Sequence, residues 1–83
     1  MERFFFDFHD DDGTTIDDDG EEFVNIEAAR KEAVAALGDA ARDFARHHAE
    51  GRLVICVRDG EGPILEVSAT FENTLIGHRR ERQ

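Results

Sequence analysis

Asn25-Ile26-Glu27-Ala28-Ala29-Arg30-Lys31-Glu32-Ala33-Val34-Ala35-Ala36-Leu37-Gly38-Asp39-Ala40-Ala41-Arg42-Asp43-Phe44-Ala45-Arg46-His47-His48 decides the fold. Ile26, Ala29, Ala33, Leu37, Ala40, Ala41, Phe44 and His48 advance by three or four, which predicts one apolar stripe on a helix. Arg30, Lys31, Glu32, Asp39, Asp43 and Arg46 fall mostly off that stripe. Asn25 is a good N-cap and Glu27 suits the first turn. Glu27 and Lys31 are spaced as an i,i+4 ion pair. Gly51 is a natural stop beyond the helix.

Outward from the helix the period falls to two. On the N-terminal side, Glu2-Arg3-Phe4-Phe5-Phe6-Asp7-Phe8-His9 alternates. Phe4, Phe6 and Phe8 share one face, predicting a strand that buries them beneath the helix. Asp10-Asp11-Asp12-Gly13 is turn chemistry, and Thr14-Thr15-Ile16-Asp17 closes a hairpin that Asp18-Asp19-Gly20 ends. On the C-terminal side, Leu53-Val54-Ile55-Cys56-Val57 is a β-branched run, apolar on both faces. Asp59-Gly60-Glu61-Gly62-Pro63 turns the chain, and Ile64 to Phe71 alternates as a fourth strand.

The expected class is α+β: ββαββ, a four-stranded antiparallel sheet with one helix packed on one face. The two most apolar strands belong in the middle, giving the spatial order 2-1-3-4 with a right-handed crossover. The order 1-2-3-4 would place the polar strand centrally. Residues 1–71 are expected to form one domain. Residues 72–83 are mostly polar, without clear periodicity, and read as a flexible tail.

Composition narrows the function. The chain has 83 residues with 36% charged and 40% hydrophobic, room for one small domain and a modest core. Twenty acidic residues face ten basic ones, for a net charge of −10. Residues 1–22 carry ten acids against Arg3 alone, a local −9. Such a surface repels nucleic acid, which recruits cations to displace counterions, and it repels anionic membranes. Basic protein partners or divalent cations are its electrostatic company. Cys56 is the only cysteine, which excludes an internal disulfide and fits a cytoplasmic setting. No apolar run is long enough to span a membrane, and the N-terminus does not read as a signal peptide.

Arg3-Phe4-Phe5-Phe6, then Asp17-x-x-Gly20-x-Glu22-Phe23-x-Asn25-Ile26-x-x-Ala29-Arg30-x-Glu32-Ala33, then Val57-Arg58-Asp59-x-x-Gly62, resemble a family of short bacterial domains of unknown function. Its members are common in rhizobia and related α-proteobacteria. The resemblance runs over about residues 2–71. The chain departs from the family in carrying Asp7 where members often have His, and in the acidity of its first hairpin. The resemblance implies a small cytoplasmic stand-alone domain and supplies no activity.

The candidate sites are few. Asp10, Asp12 and Asp17 could gather around a divalent ion, although no EF-hand spacing fits them. The bland reading is a solvated acidic turn. Asp17 to Glu22 could supply an acid pair for proton transfer, but so many neighbouring carboxylates suit water better. His47 and His48 are about 100° apart on a helix, a poor metal pair. Cys56 on a central strand reads as packing, and no phosphate-binding glycine loop occurs.

No nucleophile–base set is visible, so no catalysis and no cofactor are expected. A single helix covers only one side of the sheet. Phe5, Val54 and Cys56 are expected on the other side, with Ile64 at its margin, as an apolar interface. Strands 2 and 4 offer free edges. The leading expectation is an acidic protein-interaction module, non-catalytic, forming a homodimer or binding a basic partner. A divalent-metal-binding domain built on the first hairpin is one alternative. An antitoxin-like regulatory partner domain, suggested by architecture alone, is another.

Overall fold

The computed structural model of the chain describes residues 1–78. The elements run β1 (Glu2–Asp10), β2 (Gly13–Thr15), β3 (Glu21–Phe23), α1 (Ile26–Ala45), β4 (Gly51–Asp59) and β5 (Gly62–Phe71). All strand pairings are antiparallel. The main path of the sheet is β2-β1-β4-β5, the spatial order expected from strand polarity.

The expected four strands are five. β3 also pairs with β1, placing Glu2 opposite Phe23 and Phe4 opposite Glu21. β2 covers the other end of β1, from Phe8 opposite Thr15 to Asp10 opposite Gly13. One long edge strand is thus broken into two three-residue pieces. The break spans Ile16 to Gly20 and faces the middle of β1. Glu21 and Glu22, the acids just ahead of the helix, lie in this added strand, and the helix starts at Ile26 behind the Asn25 cap, as the spacing predicts.

The helix forms where the spacing puts it. The Asn25 side chain accepts a hydrogen bond from the Ala28 N–H at 2.9 Å, satisfying one free donor of the first turn. Ala29, Ala33 and Leu37 are buried. They pack with Phe4, Leu53, Ile55 and Val57 into one core, with Phe6, Phe8, Phe23 and Phe44 half-buried around it. Burying an aliphatic or phenyl side chain stabilises the fold by about 1.5–3 kcal/mol each. Alanines on the inner stripe let the helix sit close to the sheet. Its first-turn ion pair is Glu27 with Arg30, at 2.6 Å, rather than Glu27 with Lys31.

The helix ends at Ala45, three residues before the stripe does, with Arg46 as its C-cap. The His48 ring, past the end, stacks on Phe44 with centroids 4.3 Å apart. β4 is the central strand, paired with β1 from Val54 to Arg58 on one side and with β5 along its length on the other. This double pairing explains its apolar sequence, since Leu53 to Val57 are all buried. Residues 72–78 carry no regular structure, and the rest of the expected polar tail, from Arg79, lies outside the described residues.

Candidate functional site

The outer face of the sheet, opposite the helix, is organised around Asp7. Alternation from Phe4, Phe6 and Phe8 puts Asp7 on this face, and it is the buried charged residue of the structure, 6% exposed. A buried carboxylate must be paired and hydrogen-bonded. Asp7 is both. Its Oδ2 accepts from Arg58 Nε at 2.7 Å, and its Oδ1 accepts from the Asp17 backbone N–H at 2.9 Å. The Arg58 hydrogen bond holds the Asp7 carboxyl below the ordinary carboxylate range despite burial. The same bond raises the Arg58 guanidinium further above its ordinary value.

Arg58 joins three partners. Besides Asp7, its Nη2 donates to the Asp17 carbonyl at 2.8 Å. Its guanidinium also lies over the Phe5 ring, 4.5 Å from the centroid. Phe5 and Arg58 are directly opposite across β1 and β4, so register produces the contact.

Asp17 fills the break between β2 and β3. Its Oδ2 accepts from the Phe6 N–H at 3.0 Å, and its Oδ1 accepts from the N–H groups of Asp19 and Gly20. The side chain thus supplies an acceptor to the Phe6 N–H where the interrupted edge strand supplies none. Burial works against ionisation of Asp17, but the Gly20, Phe6 and Asp19 N–H donors outweigh it and its pKa is lowered. Gly20 has φ +69°, and a Cβ there would sit 2.8 Å from the Phe5 ring and 2.9 Å from the Phe4 carbonyl oxygen. Only glycine lets the loop lie this close. Arg3 holds the loop from its other side, donating to the Asp19 carbonyl at 2.7 Å and to Glu22.

The cluster is therefore a clamp that ties an acidic loop to the sheet. All four carboxylate oxygens of Asp7 and Asp17 are occupied by the chain itself. Among the described residues no buried side-chain nitrogen or oxygen lacks a partner.

The carboxylates singled out for a metal do not converge. The Asp10 Oδ1 accepts from the Asp12 and Gly13 N–H groups, an ordinary turn. Asp17 is engaged with backbone donors in the clamp. Among the described residues no group of three or more His, Cys, Asp or Glu side chains is placed to hold a metal ion.

The residues expected to form an outer apolar interface differ in exposure. Val54 and Cys56 are buried on β4, 8% and 9% exposed, and burial pushes the Cys56 thiol up from its ordinary pKa, with Asp7 and Glu66 adding to the effect. Phe5 is half-buried, with Arg58 over its ring and Gly20 against its edge. Ile64, on β5, is exposed. The spacing of the sequence could not show that the chain's own loop covers part of this face.

β5 is the element left open. It pairs with β4 on one side, and among the described residues no strand pairs along its other side. Its core-facing residues Leu65, Val67, Ala69 and Phe71 are only half-buried, whereas the matching row on β4 is buried. Over ten residues it carries one charge, Glu66, and its one proline is the second residue. Natural edge strands are usually guarded by charge, proline, bulges or shortness. β5 has little guard beyond the register shift near its start, at Val57 and Arg58. The opposite edge has two guards: its strands are three residues long, and acids crowd it.

An α+β domain with one helix, an antiparallel sheet, a self-satisfied polar clamp and an open sheet edge is the kind of protein these features define. The family model described as Domain of unknown function (DUF6894) matches residues 3–70, and the chain belongs to that family. No curated protein and no solved structure matches it significantly. No helix among the described residues is long and apolar enough to cross a membrane.

Proposed function

We propose that the protein is a small acidic interaction module, non-catalytic, that receives a partner strand along the outer edge of β5. The observation that carries this reading is the half-open row Leu65, Val67, Ala69 and Phe71 beside an unpaired ten-residue edge. A strand added there hydrogen-bonds to the free backbone groups and covers the rest of the row. The clamp supports the reading indirectly. Its charged groups are spent on holding the loop, which leaves them poorly placed for proton transfer to a substrate. The cytoplasmic setting inferred from the cysteine content belongs to the same proposal.

The test compares the wild-type chain with Val67→Lys, which puts a charge into the half-covered row without touching the clamp. Both are used as bait in affinity capture from the native cells. Partners, including untagged copies of the chain, should be retained by the wild type and lost by the variant. An identical set from both baits would defeat the edge reading.

A further inference from the structure

The partner that the β5 edge fits best is a second copy of the same chain. We propose that two chains join β5 to β5 about a two-fold axis at Val67, making one continuous antiparallel sheet. This rests on the edge reading above and names its occupant.

The first argument is charge. Residues 1–22, with their local −9, build β1, β2 and β3 and the loops between them. They occupy one side of the sheet, while β5 forms the other, two strands away from β1. Pairing β5 with β5 puts the two acidic edges at opposite ends of the joined sheet, as far apart as the fold allows. Any pairing through the β2–β3 edge would bring acids together. A basic peptide, by contrast, would be drawn to the acidic edge rather than to β5.

The second argument is closure. An open edge at each side of a sheet would let copies add without limit. Here the β2–β3 edge is interrupted by the Asp17 loop and cannot template a long strand. A chain with one usable edge pairs with its own kind and stops, an isologous contact with two-fold symmetry.

The third argument fixes register. Core-facing residues must meet core-facing residues across the junction, so the axis falls on a residue rather than between two. Centres at Glu66 and at Val67 give the longest overlap of the ten-residue strand. An axis at Glu66 sets Glu66 directly opposite Glu66 of the second copy, which is unfavourable. An axis at Val67 sets Glu66 opposite Ser68, Leu65 opposite Ala69, Ile64 opposite Thr70, and Val67 opposite itself. It also leaves Pro63, which lacks an N–H, at the end of the ladder opposite Phe71.

The test uses the full chain in a Cys56→Ala background with one new cysteine at a time. Under oxidation the Val67→Cys chain should form a disulfide-linked dimer. Glu66→Cys and Ser68→Cys should stay unlinked, since those positions lie about two residues out of line with their own copies, beyond disulfide reach of roughly 7 Å. Ser68→Glu sets a like charge opposite Glu66 at two places and should weaken self-association by about 2- to 30-fold, while Ser68→Lys should preserve or strengthen it. Both sites are exposed, so folding is not at stake.

Linkage through position 66 or 68 instead of 67 would overturn the register. Sedimentation showing a monomer at millimolar wild-type concentration would overturn the second copy as occupant. The edge reading would then still be decided by whether Val67→Lys loses captured partners. Self-association that Val67→Lys and Ser68→Glu both leave unchanged would overturn the edge and the second copy together.

Discussion

Asp7 and Arg58 are 51 positions apart and meet at 2.7 Å. Truncating either leaves the other charge largely buried without its partner. Asp7→Ala is expected to cost about 2–3 kcal/mol, toward the lower end for a buried pair because the Arg58 side chain is 28% exposed. In a chemical-denaturation cycle, Asp7→Ala with Arg58→Ala should cost less than the sum of the two single changes. Strict additivity would show that the pair contributes no coupling. The clamp also sets acid sensitivity. Asp7 and Asp17 have pKa values lowered below 3.8 in the folded chain. Their contribution is fully present above the unfolded value and is lost as pH falls from about 4 through the lowered folded values. Asp17→Asn should flatten that part of the stability curve, measured by denaturation between neutral pH and strong acid. At Gly20, alanine meets both a positive φ and ring and carbonyl contacts under 3 Å, so Gly20→Ala should destabilise by about 2 kcal/mol or more.

Gly38 makes the opposite case at the scale of an element. It lies inside α1, and a Cβ there meets nothing within 4 Å. Gly38→Ala should therefore stabilise the protein by about 0.5–1 kcal/mol, read as a raised denaturation midpoint. The helix was legible in sequence because a 20-residue amphipathic pattern repeats its signal over many turns. β1, β4 and β5 were legible because alternation or a long β-branched run marked them. β3 was not, since three residues hold too little pattern, and Glu21 and Glu22 suit a helix entrance equally well. The clamp was illegible for another reason. Asp7, Asp10 and Asp17 look alike as letters, and only the β1–β4 register and the loop over Phe5 decide which one is buried. The interface residues met the same limit: Val54 and Cys56 alternate onto the outer face as expected, yet their neighbours cover them.

For the molecule as a whole, the sheet is assembled unevenly. β4, β5 and α1 follow one another along the chain, whereas β1 reaches β4 only after a crossover. β2 is attached through β1, and β3 through β1 with a smaller contact to α1. Everything before the helix is thus hydrogen-bonded to the rest of the sheet only at the seam between β1 and β4, with the Phe4 and Phe23 side chains packed under α1 as its other mooring. If that seam parts, the first quarter of the chain should come away as one cooperative unit while the remainder keeps its hydrogen bonds. Native-state hydrogen exchange should show it. Amides protected in β1, β2 and β3 should share one opening free energy, lower than that of the β4–β5 hairpin, and Asp7→Ala should lower the first value more than the second. Equal protection across all five strands would mean that the seam and the hairpin open together.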